Sequence, residues 1–148
     1  MLAGRWLFAL YCALMLWLLF GQRIGTGDYG LDKENGWNLT LFATIDRYIH
    51  VLRNMEDSGL RREAVVNLGG NVIMFLPLGF FVSFLWERLR RFSLFLPAVL
   101  AVILGIELTQ LLTALGCFDV DDIFLNVIGA YMGYLFFRIL WQRRQKAA

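Results

Sequence analysis

A chain of 148 residues that is 59% hydrophobic, with mean hydropathy +0.59, is far more apolar than a soluble globular domain and reads as one membrane domain over residues 1–148. The formal net charge is +2, and the 14 Lys and Arg are scattered between hydrophobic blocks instead of gathering on a recognition motif, which argues against nucleic acid as a partner. Cys12 and Cys117 stand alone and match neither a zinc-ligand spacing nor a disulfide framework.

Residues 6–22 carry no charge and follow Arg5. The run is longer than the apolar core of a usual signal peptide and no A-x-A-like cleavage site follows it, so a retained first membrane helix is expected. The next forty residues begin as a loop, punctuated by GTGDYG and ENG. Within them, residues 37–55 place Leu41, Ile45, Tyr48, Ile49 and Leu52 at helical spacing. That pattern predicts an amphipathic segment, either lying at the membrane surface or packed on the bundle. His50, the single histidine, sits there and reads as a solvated surface residue. The Asn38-Leu39-Thr40 sequon has meaning only in a glycosylating compartment.

Residues 64–86 are uncharged, long enough to cross about 30 Å of hydrocarbon. Gly69, Gly70 and Pro77 within them predict a kink or a locally broken turn. A third helix is predicted over 92–115, interrupted by the single charge of Glu107, and a fourth over 123–141, where Arg138 can snorkel to the interface. The fold class is therefore all-α: a polytopic bundle of four transmembrane helices, with the amphipathic segment in the first extracytoplasmic loop. Orientation follows from the short basic segments. Arg88, Arg90 and Arg91 between helices two and three, Arg143, Arg144 and Lys146 in the tail, and Arg5 are all cytoplasmic with four spans. The long loop also holds six basic residues among seven acids, so the assignment rests on the short segments. Both termini are then in the cytoplasm, and residues 116–122 lie outside.

That orientation gathers the polar residues of three helices at one depth. Asn67 and Asn71 open helix two at i, i+4, Glu107 and Gln110 lie at i, i+3 in the outer half of helix three, and Asp122 and Asn126 begin helix four. If the last helix reaches back to Asp119, then Asp119, Asp122, Asn126, Gly129 and Gly133 form one stripe, and Asp121 falls off it. Part of this pattern is explained by architecture: small residues let helices approach, amides bond between helices, and acids at a helix N-terminus cap it. Glu107 is the hardest to explain so. A carboxylate at lipid depth must be protonated, paired or reached by water, and such groups usually mark a working site. Arg61 and Arg62 are the candidate partners on the same side. Clustered carboxylate and amide oxygens also suit a hard cation, but there is no His or Cys ligand set and no known loop geometry, so no metal is assigned. No catalytic triad or phosphate-binding loop is present.

Taken in order, NLTLFATI from Asn38, NVIMFLPLG from Asn71, IELTQ from Ile106 and DVDDIFLNVIG from Asp119 resemble the VanZ-like family of small bacterial membrane proteins, named for the member associated with glycopeptide, especially teicoplanin, resistance. Relatives commonly carry Pro where this chain has Leu41, and Arg where it reads Gly116-Cys117-Phe118. The resemblance implies a multi-pass protein of the bacterial cell membrane that acts on the envelope; it names no cofactor and no settled chemistry. The leading expectation is an outward-facing intramembrane pocket that binds or modifies a lipid-linked or cell-wall-associated molecule. Glu107, Asp119 and Asp122 would be its catalytic candidates, and Asn67, Asn71, Gln110 and Asn126 its binding residues. The alternative is a non-enzymatic scaffold whose stripe holds the bundle while the amphipathic segment or the Gly129 face docks a membrane-protein partner or a second copy. A small carrier is the weakest reading, because four helices without a repeat leave little room.

Overall fold

The computed structural model describes residues 2–21 and 36–147. The first part of the long loop, with the GTGDYG turn, Arg23, Lys33, Asp28, Asp32 and Glu34, lies outside the described residues. The elements in order are α1 (Leu2–Leu16), extended by a π turn over Trp17–Gly21, β1 (Trp37–Asn38), α2 (Ala43–Asn54), α3 (Ser58–Leu85), a 3-10 turn over Glu87–Arg90, α4 (Phe92–Thr113), β2 (Phe118–Asp119) and α5 (Val120–Ala147). Four segments are long and apolar enough to cross a membrane: Leu2–Gly21, Ser58–Leu85, Phe92–Thr113 and Val120–Lys146. The chain is an all-α four-helix membrane bundle.

Two helices outrun their apolar stretches. Asp57 caps α3 by accepting from the Leu60 N–H at 2.9 Å, so the helix starts at Ser58, six residues before the uncharged run. The last helix begins at Val120 and carries its basic tail to Ala147. α3 runs on through Pro77, so of the expected kink or broken turn the broken turn does not form. Three residues before Pro77, the Met74 carbonyl oxygen accepts from the Tyr11 hydroxyl at 2.7 Å, which ties α1 to α3.

The bundle is built on α3 against α5, which run parallel: Gly129 meets Val72, and Gly133 meets Leu76 and Phe80 farther along both chains. A Cβ added at Gly79, Gly129 or Gly133 would collide with backbone atoms of the facing helix. These glycines are the reason the backbones can touch. The spacing expected of a small-residue contact is therefore used inside the bundle. This corrects the docking role considered for the Gly129 face, since that face is already covered by α3. Around the crossing, Phe75, Phe95, Ile103 and Tyr134 fill the core, with the Phe95 and Tyr134 rings 4.5 Å apart.

The amphipathic segment is packed on the bundle. Tyr48 and Val51 of α2 bury against Ala64 of α3, with Leu52, Leu60 and Leu68 around them, while His50 on the opposite face is exposed. Burial first, and then the Glu63 carboxylate, push the Tyr48 phenol up to about 12, so it stays neutral at physiological pH.

Candidate functional site

The polar residues collect where α1 ends, α3 and α5 begin and α4 finishes. Two elements absent from the expectation assemble this end. β1 and β2 pair in parallel, Trp37 with Phe118 and Asn38 with Asp119, which ties the start of α2 to the start of α5. Such a two-residue pairing leaves no periodicity to read.

Asp121, the acid that falls off the stripe, is fully buried, and its carboxylate accepts from the backbone N–H groups of Phe42, Thr44 (2.8 Å) and Ile45 (3.1 Å). With Phe42 at the N-cap of α2, the Thr44 and Ile45 N–H groups are the two that a capping side chain normally satisfies. Phe42 itself offers no capping atom and sits in the left-handed region at φ 68°. Asp121 supplies the missing cap from another helix, and its negative charge lies at the positive end of the α2 dipole.

Asp119 completes the joint. One carboxylate oxygen accepts from the Asp121 N–H at 2.8 Å, locally capping α5, and the other accepts from the Thr44 hydroxyl at 2.7 Å. The Asn38 amide donates to Thr44 Oγ1 at 2.9 Å and, at 3.4 Å, to the Asp119 carboxylate, while its own Oδ1 accepts from the Thr40 N–H. Asn38 is thus committed to this network, and a glycan on its Nδ2 would dismantle it. Asp119 and Asp121 are 2% and 0% exposed, so neither meets solvent.

The other candidates divide into two groups. Glu107, 2% exposed, accepts from the Asp119 N–H through Oε2 at 3.3 Å, which joins α4 to the start of α5. Gln110, also buried, donates to the Leu19 carbonyl oxygen in the π turn at 3.4 Å and fastens the end of α1. Asn71 donates to Asp122 at 2.7 Å, bridging α3 to α5, and both side chains are only half-buried. Asn126, one helical turn beyond Asp122, is 2% exposed, and its Oδ1 has no hydrogen-bond partner among the described residues. Asn67 donates back to the Glu63 carbonyl oxygen of its own helix at 3.1 Å. Arg61 and Arg62 stand exposed at the start of α3, where Arg61 donates to the Met55 carbonyl oxygen.

Beside this cluster, an open groove of ≈ 540 Å³ runs between α1 and α3. Its walls are apolar side chains such as Leu14, Leu18, Val66 and Ile73, and the polar side chains among its lining are Tyr11, Asn67 and Asn71. Asn71 is therefore shared: it faces the groove and holds Asp122. Sequence reasoning found Glu107, Gln110, Asp119, Asp122, Asn71 and Asn126 at this end. It missed Thr44, Asp121 and the structural use of Asn38, whose signal was the NLTLFATI segment read together with the off-stripe acid.

A family model described as VanZ/LLP1 matches residues 8–141. Protein VanZ of Enterococcus faecium is 28% identical over 134 residues, covering 88% of this chain and 70% of that protein. No solved structure matches the chain.

Proposed function

The chain belongs to the VanZ/LLP1 family, and from that premise we propose that it acts on the bacterial cell envelope by binding or modifying a lipid-linked or cell-wall-associated molecule at the polar end of its bundle. In this reading both termini are cytoplasmic and the acid and amide cluster lies toward the outer leaflet. The work is divided. Asp119 and Asp121 hold the frame; Asn71, Glu107 and Asp122 keep their contacts within the bundle and, with Asn126, are the groups assigned to a ligand or to a transferred proton.

The observation that carries the reading is Asn126. A buried amide oxygen left without a partner costs about 1–3 kcal/mol, and this one lies a single turn from a half-buried carboxylate within a membrane helix. A hydroxyl or ammonium group of a ligand would satisfy it. The α1–α3 groove gives such a ligand's hydrocarbon chain a place to lie, with Asn71 linking groove to carboxylate. Polar groups retained at this depth are ordinarily functional.

Asp122→Asn keeps an oxygen that can accept from Asn71, and Glu107→Gln keeps one for the Asp119 N–H, so both variants should reach wild-type membrane levels. In a strain lacking the gene and complemented with each variant, glycopeptide susceptibility should match the empty vector. If Glu107 or Asp122 moves a proton, turnover of the isolated reaction should fall by about 100-fold or more. Full complementation by both variants at normal abundance would reject the proposal and favour the scaffold reading, in which the same network only holds the helices together.

A further inference from the structure

We propose that the opposite end of the bundle holds a binding site for the phosphate headgroup of an anionic phospholipid, clamped between Arg91 and Arg138. This end carries Arg88, Arg90, Arg91, Arg138, Arg143, Arg144 and Lys146 against the single acid Glu87. Arg90 is already occupied: its Nε donates to the Ser83 carbonyl oxygen, its guanidinium pairs with Glu87 at 3.3 Å, and it stacks over the Trp141 ring at 4.1 Å. It forms the back wall, and Arg91 and Arg138 are exposed beside it.

An open cavity of ≈ 420 Å³ lies between the start of α4 and the end of α5, with Arg91, Arg138, Gln142 and Gln145 at its polar rim and Phe92 and Tyr134 among its walls. Two further features ask for an anion. Arg91 occupies the N-cap of α4, where its side chain makes no cap and, being a donor only, can make none. The positive end of the α4 dipole therefore adds to the arginine charge. Guanidinium groups bind phosphate oxygens through paired donors, which suits two arginines across a cavity better than lysines. The aromatic walls belong to membrane-spanning helices, and Trp141 lies at their boundary, so a ligand with a phosphate above and hydrocarbon below fits where a free anion has nothing to fill the lower part. Basic pockets between membrane helices take anionic headgroups for this reason.

The test uses the full-length protein purified in detergent and titrated with phosphatidylglycerol or phosphatidylethanolamine under native mass spectrometry. Phosphatidylglycerol should be held at least about tenfold more tightly, and R91Q/R138Q should remove that preference. Removing two exposed charges at the other end, with R53Q/R62Q, should leave it intact. Equal retention of the two lipids, an unchanged R91Q/R138Q protein, an equal loss in R53Q/R62Q, or displacement of phosphatidylglycerol by sodium phosphate beyond that caused by sodium chloride of equal ionic strength would each overturn the assignment. The wild-type protein gives a check that needs no variant: the preference should weaken as salt rises, and a salt-independent preference would contradict it. None of these outcomes depends on the site at the acidic end.

Discussion

Asp121→Ala should release α2 from the bundle. Three backbone N–H groups, of Phe42, Thr44 and Ile45, lose their acceptor together, and Thr44 is buried where water does not readily replace it. At ~1 kcal/mol or more for each orphaned donor, the local cost is ~3 kcal/mol. The left-handed backbone at Phe42 is unfavourable for a bulky side chain and would relax once its N–H is no longer held. Hydrogen exchange at the Thr44 and Ile45 amides should therefore accelerate by about 100-fold, while amides in the middle of α3 change little. Asp121→Asn, which keeps one accepting oxygen, should fall between. Unchanged protection in the alanine variant would show that β1 and the Asp119 network hold α2 without Asp121.

The second large effect is expected at the helix crossing. In Gly129→Ala the new methyl group points into the backbone of Val72, and in Gly133→Ala into that of Leu76. A side chain could swing aside; a helix backbone cannot, so α3 and α5 must separate along their length. Overpacking of this kind costs about 1–3 kcal/mol per site, and the double variant should show a large fall in both membrane abundance and thermal stability in detergent. Gly69→Ala and Gly105→Ala are the internal controls, because an added Cβ at either meets nothing within 4 Å. Both should be neutral or slightly stabilising through helix propensity. Equal behaviour of the four variants would mean that the close approach of α3 and α5 is not what the glycines serve.

The four helices were legible because hydrocarbon thickness sets a minimum apolar run, and few other folds produce four such runs in 148 residues. Their ends were less so. Capping by Asp57 and the continuation of α5 through its basic tail depend on single side chains and on solvent, neither of which a hydropathy pattern records. The meeting of Asn71 with Asp122 was readable from orientation and helical spacing alone, since an up-and-down bundle puts the start of the second and fourth spans at one end. The role of Asp121 was hidden for a physical reason. A carboxylate that caps a helix in another part of the chain obeys no local spacing rule, so its position off the stripe looked like exclusion when it marked a different duty. The β1–β2 pairing was invisible in the same way, because two residues of strand carry no repeat.

These placements change what the acidic run means. Asp119 and Asp121 hold the segment over residues 37–45, whereas Asp122 accepts from Asn71 on the groove wall, one turn from Asn126, whose amide oxygen has no partner among the described residues. The most direct test of that division is photocrosslinking from Val66, an exposed residue on the groove wall, with a photoreactive amino acid introduced there in living cells. The adduct should contain a lipid-linked cell-wall intermediate, and Asp122→Asn should abolish it without lowering protein levels. Adducts containing bulk phospholipid alone, at the same yield with and without the Asp122 carboxylate, would contradict the account.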